Sequence, residues 1–382
     1  MNPVLPAERL AALGASPEEA EELLAYNENV FDLGALGPET RFPLPDEPFV
    51  AFWEAVAEES RTRGAFAVLR ERLPQLAFPI REGIGETEPY RAATRRGAPV
   101  ESIAEATGLE LEHPEAVELE IYESPAGRIP LLIARRRPEF VALIRALTKR
   151  NEPAPVPEAQ GALMVSGYNN WSRVGELRRQ WEGQEPAERE EATWAEQFQK
   201  LQPRRELYQD RFILLSDGPY SAVPAGDLGL EKEEWREISL AIRRDHECAH
   251  YLTRRLFGSM RNNALDELIA DYAGITGATG RFRADWFLRF VGLEDFPRYR
   301  AGARLDIYRG DPPLSDGAFR VLHRLLRDAA VNLERFDGAK VPKAVTIAAL
   351  ASFRLEELAA PGAEDLIRQA VESLRERLKP SS

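Results

Sequence analysis

The sequence predicts an α+β fold, mostly helical after about residue 160 with a small sheet, and preceded by a smaller mixed α/β region. Three observations carry that prediction. Val117, Leu119 and Ile121 alternate with Glu118, Glu120 and Tyr122, the period of a half-buried strand. Residues 233–257 follow a helical period with no proline or glycine. Between them, Asn151 to Gln160 holds three prolines and no apolar periodicity, which reads as a linker. The expected division is therefore a mixed α/β region over 1–150, a proline-rich linker over 151–160, and a mainly helical domain over 161–382.

Taken in order, Ser16-Pro17-Glu18-Glu19 has capping-box spacing with proline at the first helical position, predicting a helix to about Tyr26. Phe49 to Arg63 keeps a helical period until Gly64. After the strand at 117–122, Ser124-Pro125-Ala126-Gly127 is turn chemistry and Arg128 to Ala134 a returning strand. Pro130 cannot donate to a ladder, which predicts a sheet edge. Pro138 opens a helix with Val141, Ile144 and Leu147 on one face. Tyr168-Asn169-Asn170 reads as a loop folded on itself. Glu182 to Glu196 reads as a solvated acidic helix face, and Phe212 to Leu215 as a compact strand closed by Ser216-Asp217-Gly218-Pro219.

Composition narrows the function classes. A length of 382 residues suits one large or two ordinary domains. One cysteine rules out an internal disulfide. The net charge of −13 argues against nucleic acid as a partner, since phosphate binding relies on basic surface. The longest apolar runs, 131–134 and 344–353, fall well short of the roughly 20 residues a membrane span requires. Met1-Asn2-Pro3 lacks the features of a secretory signal, so a cytoplasmic location is expected.

The chemistry lies in His246-Glu247-Cys248-Ala249-His250, which uses two of the four histidines. On a helix, His246 and His250 stand about 40° apart on one face, so both imidazoles can converge on one tetrahedral ion. Glu247 beside them is placed to polarise a water. Ile238, Ile242, Ala249, Leu252 and Leu256 form the adjoining apolar stripe, and Gly258 supplies the stop. Cys248 points away and reads as a small buried apolar residue. Downstream, Asn262-Asn263 caps a second helix that carries Glu267 and Asp271 four residues apart on one face. With only Gly258 to Asn263 between them, the helices fold back on each other. Glu267 then offers a third ligand, and Asp271 accepts a hydrogen bond from a ligand histidine.

His246-Glu247-x-x-His250 followed by Glu267-Leu268-Ile269-Ala270-Asp271 resembles the gluzincins, the zinc metallopeptidases typified by thermolysin. The resemblance covers about 35 residues, 238–272, and includes the family's ExxxD. It implies a zincin-like catalytic domain in which His246, His250 and Glu267 bind Zn2+, Glu247 is the general base, and Asp271 supports a ligand from behind. It also implies a peptide or protein as the substrate. In such enzymes an upstream edge strand commonly lines the cleft, a part that Phe212 to Leu215 would play. The 16 residues between His250 and Glu267 are slightly fewer than in thermolysin-like enzymes, and no Asn-Ala-(Phe/Tyr)-Trp motif occurs.

The oxyanion donor is open. His323 is one candidate, but it borders the apolar face of Phe319, Leu322, Leu326 and Ala330 and reads better as structural. Tyr220, Tyr251 and Tyr272 are weaker candidates, and His113 has no role. Asn170-Trp171-Ser172 fits a glycosylation sequon, and Gly83-x-Gly85 lacks the remainder of a dinucleotide site.

The leading expectation is a zinc-dependent peptidase. The alternative is a catalytically inactive zinc-binding domain that binds peptide or protein partners, signalled by a fourth protein ligand such as Asp266. A third reading has residues 1–150 covering the cleft.

Overall fold

The computed structural model describes residues 6–37, 39–183, 193–261, 263–336, 338 and 341–379. Among these the chain is mainly helical with one small mixed sheet, an α+β architecture. Helices α1 (Pro6–Ala12), α2 (Pro17–Tyr26), α3 (Val50–Arg63), α4 (Ala65–Arg72) and α5 (Glu88–Arg96) come first. Strands β1 (Val117–Ser124) and β2 (Gly127–Ala134), helix α6 (Arg137–Thr148), strand β3 (Ala162–Asn169), helices α7 (Trp171–Glu182) and α8 (Trp194–Leu201), and strand β4 (Gln209–Ser216) follow. The remainder is helical: α9 (Lys232–Phe257), α10 (Asn263–Thr279), α11 (Ala284–Val291), α12 (Asp316–Phe336), α13 (Lys343–Leu350), α14 (Leu355–Leu358) and α15 (Ala363–Arg377). No helix among the described residues is long and apolar enough to cross a membrane.

The chain forms two compact units. One takes in the residues up to Pro45, Ser124–Ala126, and those from Pro219 onward; the other is Asp46–Glu123 with Gly127–Gly218. The proline-rich segment 151–160 is therefore no boundary but lies inside the second unit. Its carbonyls are held there by α6: Arg145 Nε donates to Ala154 O at 2.9 Å and Arg137 Nη2 to Pro157 O at 2.7 Å. Asn151 is fully buried, donating to Gln75 O at 3.0 Å and Phe78 O at 2.9 Å. Residues 184–192, which cover most of the expected acidic helix face, lie outside the described residues.

In the second unit the sheet order is β1-β2-β4-β3, with β4 parallel to β2 and antiparallel to β3. This corrects two expectations. β2 is an inner strand despite Pro130, because its ladder with β4 begins one residue later, at Leu131↔Ile213. β4 is also inner, so Phe212 to Leu215 offers no free edge to a peptide. Four buried apolar residues suit a strand covered on both faces equally well. Tyr168 and Asn169 close β3 and Asn170 caps α7, so the expected loop is regular structure. Asn170 Nδ2 donates to the buried Asp210 at 2.6 Å, and Asp210 also accepts from Trp53 Nε1 at 2.8 Å and from Arg173. With Asn170 only 1% exposed, the sequon's amide is spoken for. The N–H groups of Gly83 and Gly85 both donate to Glu152, at 2.8 and 2.9 Å, so that glycine pair cradles a carboxylate of its own chain.

In the first unit, α2 starts at the Ser16–Glu19 capping box and ends at Tyr26. α9 runs one residue beyond the expected start and stops at Gly258, whose φ of 71° is the left-handed cap. α10 returns along it. The pairing keeps step: His250 faces Asp266 and Glu267, His246 faces Asp271, and Ile242 faces Gly274. Both helices advance about one turn per four residues, so these partners remain opposite each other along the seam. At Gly274 the backbones come so near that a Cβ would stand 2.6 Å from Ile242 O.

Helix propensity favours alanine over glycine by about 1 kcal/mol, whereas overpacking costs about 1–3 kcal/mol. Gly274→Ala should therefore lower stability in urea unfolding. Gly175→Ala in α7, where no atom lies within 4 Å of the new Cβ, should raise it by about 0.5–1 kcal/mol. A neutral or stabilising Gly274→Ala would contradict the close crossing.

Candidate metal centre

α9 and α10 bring the sequence-predicted residues together. His246 Nε2 and His250 Nε2 are 3.1 Å apart. Glu267 approaches both, with Oε2 3.5 Å from His246 Nε2 and Oε1 3.4 Å from His250 Nε2. The histidines are 7% and 5% exposed. The buried His246 and His250 and the half-buried Glu267 form a group that could hold a metal ion.

The other ring nitrogens are also engaged. His246 Nδ1 lies 2.9 Å from Asp271 Oδ1, and His250 Nδ1 lies 3.1 Å from Asp266 Oδ2. A carboxylate only accepts, so each Nδ1 carries a proton, and a neutral ring presents a lone pair at Nε2. The two Nε2 atoms stand 3.1 Å apart beside a carboxylate whose Oε2 is buried without a hydrogen-bond partner. A proton on one Nε2, or a metal ion between the two, keeps lone pairs from facing each other. The fit is close: ligands about 2.0–2.1 Å from a tetrahedral zinc stand about 3.3–3.4 Å from one another.

The carboxylates draw positive charge to this point. Burial disfavours charge on His250, yet Asp266 and Glu267 outweigh it and raise its pKa well above the ordinary value. Burial raises Glu267 while His250, His246 and Arg304 pull it further down, so it ionises well below the usual carboxylate range. Asp271, fully buried, is likewise held low, chiefly by Arg304 against the effect of burial. Glu247 is half-buried, and desolvation raises its pKa. Cys248 is 3% exposed with its thiol pushed well up by burial, an inert core residue as expected.

Asp266 is corrected from a possible fourth ligand to an orienting group, because it meets His250 on the nitrogen away from the cluster. Tyr220 is also reassigned. Its hydroxyl donates to Asp271 Oδ1 at 2.5 Å and lies 3.0 Å from His246 Nδ1, behind the imidazole rather than where an oxyanion would form. Sequence reasoning missed Arg304, which pairs with Asp271 Oδ2 and donates to the Tyr220 hydroxyl at 2.8 Å. It also missed Tyr308, half-buried beside Glu267. Neither carries a local signal, since both lie in a short 3-10 turn, Arg304–Tyr308, with no apolar period.

Helices α1 and α2 belong to this unit. Tyr26 at the end of α2 accepts from Ala264 N, the first turn of α10, at 3.2 Å and donates to Tyr308 O at 2.5 Å. Asn263 Nδ2 donates to Tyr26 O at 2.9 Å, while Asn262 lies outside the described residues.

One family match spans residues 8–362, and so takes in every residue of the centre. The chain belongs to DUF7005, a family of unknown function. No curated protein and no solved structure gives a significant match.

The remaining candidates are structural. Tyr251 is fully buried under Arg255, and Tyr272 packs on Phe282 at 5.3 Å. His113 is half-buried beside Glu115. His323 is 5% exposed, with its ring 4.4 Å from Phe319 and 4.7 Å from Tyr299. Burial lowers its pKa to about 4. The unfolded chain, with an imidazole pKa of about 6.5, binds that proton more readily, so stability falls as pH drops from about 6.5 towards 4. His323→Leu should flatten the change in urea midpoint between pH 7 and 5, and an unaltered pH dependence would contradict the buried neutral imidazole.

Proposed function

We propose that the chain is a zinc-dependent metallohydrolase, a peptidase of the gluzincin kind. The observation that carries this reading is the set of 3.1, 3.4 and 3.5 Å separations among His246 Nε2, His250 Nε2 and the Glu267 oxygens. They suit three protein ligands around one tetrahedral ion. Among the described residues no fourth protein ligand joins that group, which favours a catalytic site over a purely structural one, since structural zinc takes four. Bound there, zinc would supply Lewis acidity, lowering the pKa of water towards about 7 and polarising a carbonyl.

The chain's own residues do the rest. Asp271 and Asp266 hold the two imidazoles in the tautomer that leaves Nε2 bare. Glu247 follows His246 in the helix, and its raised pKa makes it a stronger base than an exposed glutamate. Its carboxylate takes a proton from the attacking water and returns it to the departing nitrogen. Peptides as the substrate class follow from the resemblance of the two motifs to gluzincins.

The purified protein should contain zinc at near one equivalent, and His246→Ala and Glu267→Ala should both lose it. Glu247→Gln should retain the metal while hydrolysis of a mixed peptide library falls by about 100-fold or more. A wild type that stays metal-free when zinc is supplied would overturn the reading, as would a Glu247→Gln variant with full activity.

A further inference from the structure

We propose that the second unit holds a binding site for a 5′-mononucleotide, a small anion that carries a planar ring. The site uses no residue of the metal centre and does not rest on the zinc reading. It forms where one end of the sheet meets α5, α7 and α8. Two cavities of about 430 and 380 Å³ lie there, and they share Arg95, Trp171, Phe198 and Gln202. Each is of small-molecule size.

Charge is the first argument. Arg95, Arg96, Arg178 and Arg205 line the two cavities, and among the described residues no carboxylate does. In a chain of net charge −13 this is a local reversal of sign, which draws anions. Arg96 is paired with Glu88, and Arg178 Nε donates to Glu182 at 2.7 Å. Arg95 and Arg205 make no hydrogen bond or ion pair with any described residue. Both are exposed and border the larger cavity, so their guanidinium groups are free to close on a phosphate.

The rings are the second argument. Trp171, Phe198 and Tyr208 line the same cavity, each half-buried. The Phe198 ring stands 6.2 Å from Trp171 and 5.8 Å from Tyr208, centre to centre. Helix α8, which carries Phe198, has no buried residue, so these rings are not the inside of a closed core. Every nucleic-acid base has a flat face that stacks on such rings.

The third argument is that the parts are already held in place. Trp171 Nε1 donates to Thr94 O at 2.9 Å, and its ring lies on Gly97, where a Cβ would stand 2.6 Å from it. The Tyr208 hydroxyl donates to Gln202 O at 2.9 Å. At the end of the sheet Asn169 of β3 pairs with Gln209 of β4, and Gln209 Nε2 donates to Asn169 Oδ1 at 3.0 Å. That bond leaves Asn169 Nδ2 as a donor and Gln209 Oε1 as an acceptor in the cavity wall, the mixed chemistry that the edge of a base presents. A site assembled before its ligand arrives loses less on binding.

Calorimetric titration of the 382-residue chain with AMP, GMP, CMP and UMP tests the proposal. At least one should bind with a dissociation constant of about 100 μM or lower. Adenosine and inorganic phosphate, each holding half of the chemistry, should bind at least about tenfold more weakly. Arg95→Gln and Arg205→Gln should each weaken the mononucleotide by about 10–100-fold, the scale of a lost charged hydrogen bond. Both should keep the wild-type midpoint in urea, because neither side chain has a partner to lose. Phe198→Leu keeps the apolar face of α8 but removes the ring, and should weaken binding by about 5–100-fold. No binding of any mononucleotide up to about 1 mM would overturn the proposal. So would wild-type affinity in both arginine variants, which would place the ligand elsewhere. Phosphate binding as tightly as the mononucleotide would also overturn it, since the rings would then play no part.

Discussion

The centre depends on one close encounter, two imidazole nitrogens held 3.1 Å apart in a buried seam. The groups around them carry more negative than positive charge. At full ionisation Glu247, Asp266, Glu267 and Asp271 place four carboxylates against the guanidinium groups of Arg243 and Arg304. The excess is met by a proton on His250, whose pKa is raised well above its ordinary value, or by a metal ion in its place. Buried charge without a partner is strongly destabilising.

The fold delivers that arrangement through an in-step helix pair. Gly274 lets α10 approach α9 closely enough for side chains one turn further along to meet end to end. From there the network spreads outward. Asp271 links His246 to Tyr220 and Arg304, and the turn that begins at Arg304 is tied through Tyr308 O to Tyr26 in α2. Residues from four separate stretches of sequence thus bear on one imidazole. Such an interlocked polar network fixes orientation more firmly than any single bond in it would.

What could be read from sequence follows from this geometry. The four-residue step from His246 to His250 and from Glu267 to Asp271 is local helical periodicity, so the His246, His250 and Glu267 group and its helices were legible. Ser16 and Gly258 likewise mark helix ends by side-chain and backbone chemistry that acts over a few residues. Arg304 was not legible as a member of the site, and Tyr220 only as a weak oxyanion candidate on the wrong side of the imidazole. They reach it from irregular turns 33 residues after and 51 residues before Asp271, where no period points inward. The two-unit division escaped for a related reason. Prolines at 153, 155 and 157 look like a linker until arginines from α6 are seen to hold their carbonyls. Pro130 misled in the same way, because the restriction on its own N–H says nothing about where the next ladder starts.

The central claim is that one zinc ion binds between these two helices. X-ray absorption of the zinc-loaded protein tests it most directly. The account predicts a shell of nitrogen and oxygen ligands at about 2.0–2.1 Å, with imidazole scattering from two histidines and no sulfur. A sulfur shell at about 2.3 Å would mean that Cys248 is a ligand, and would contradict the account.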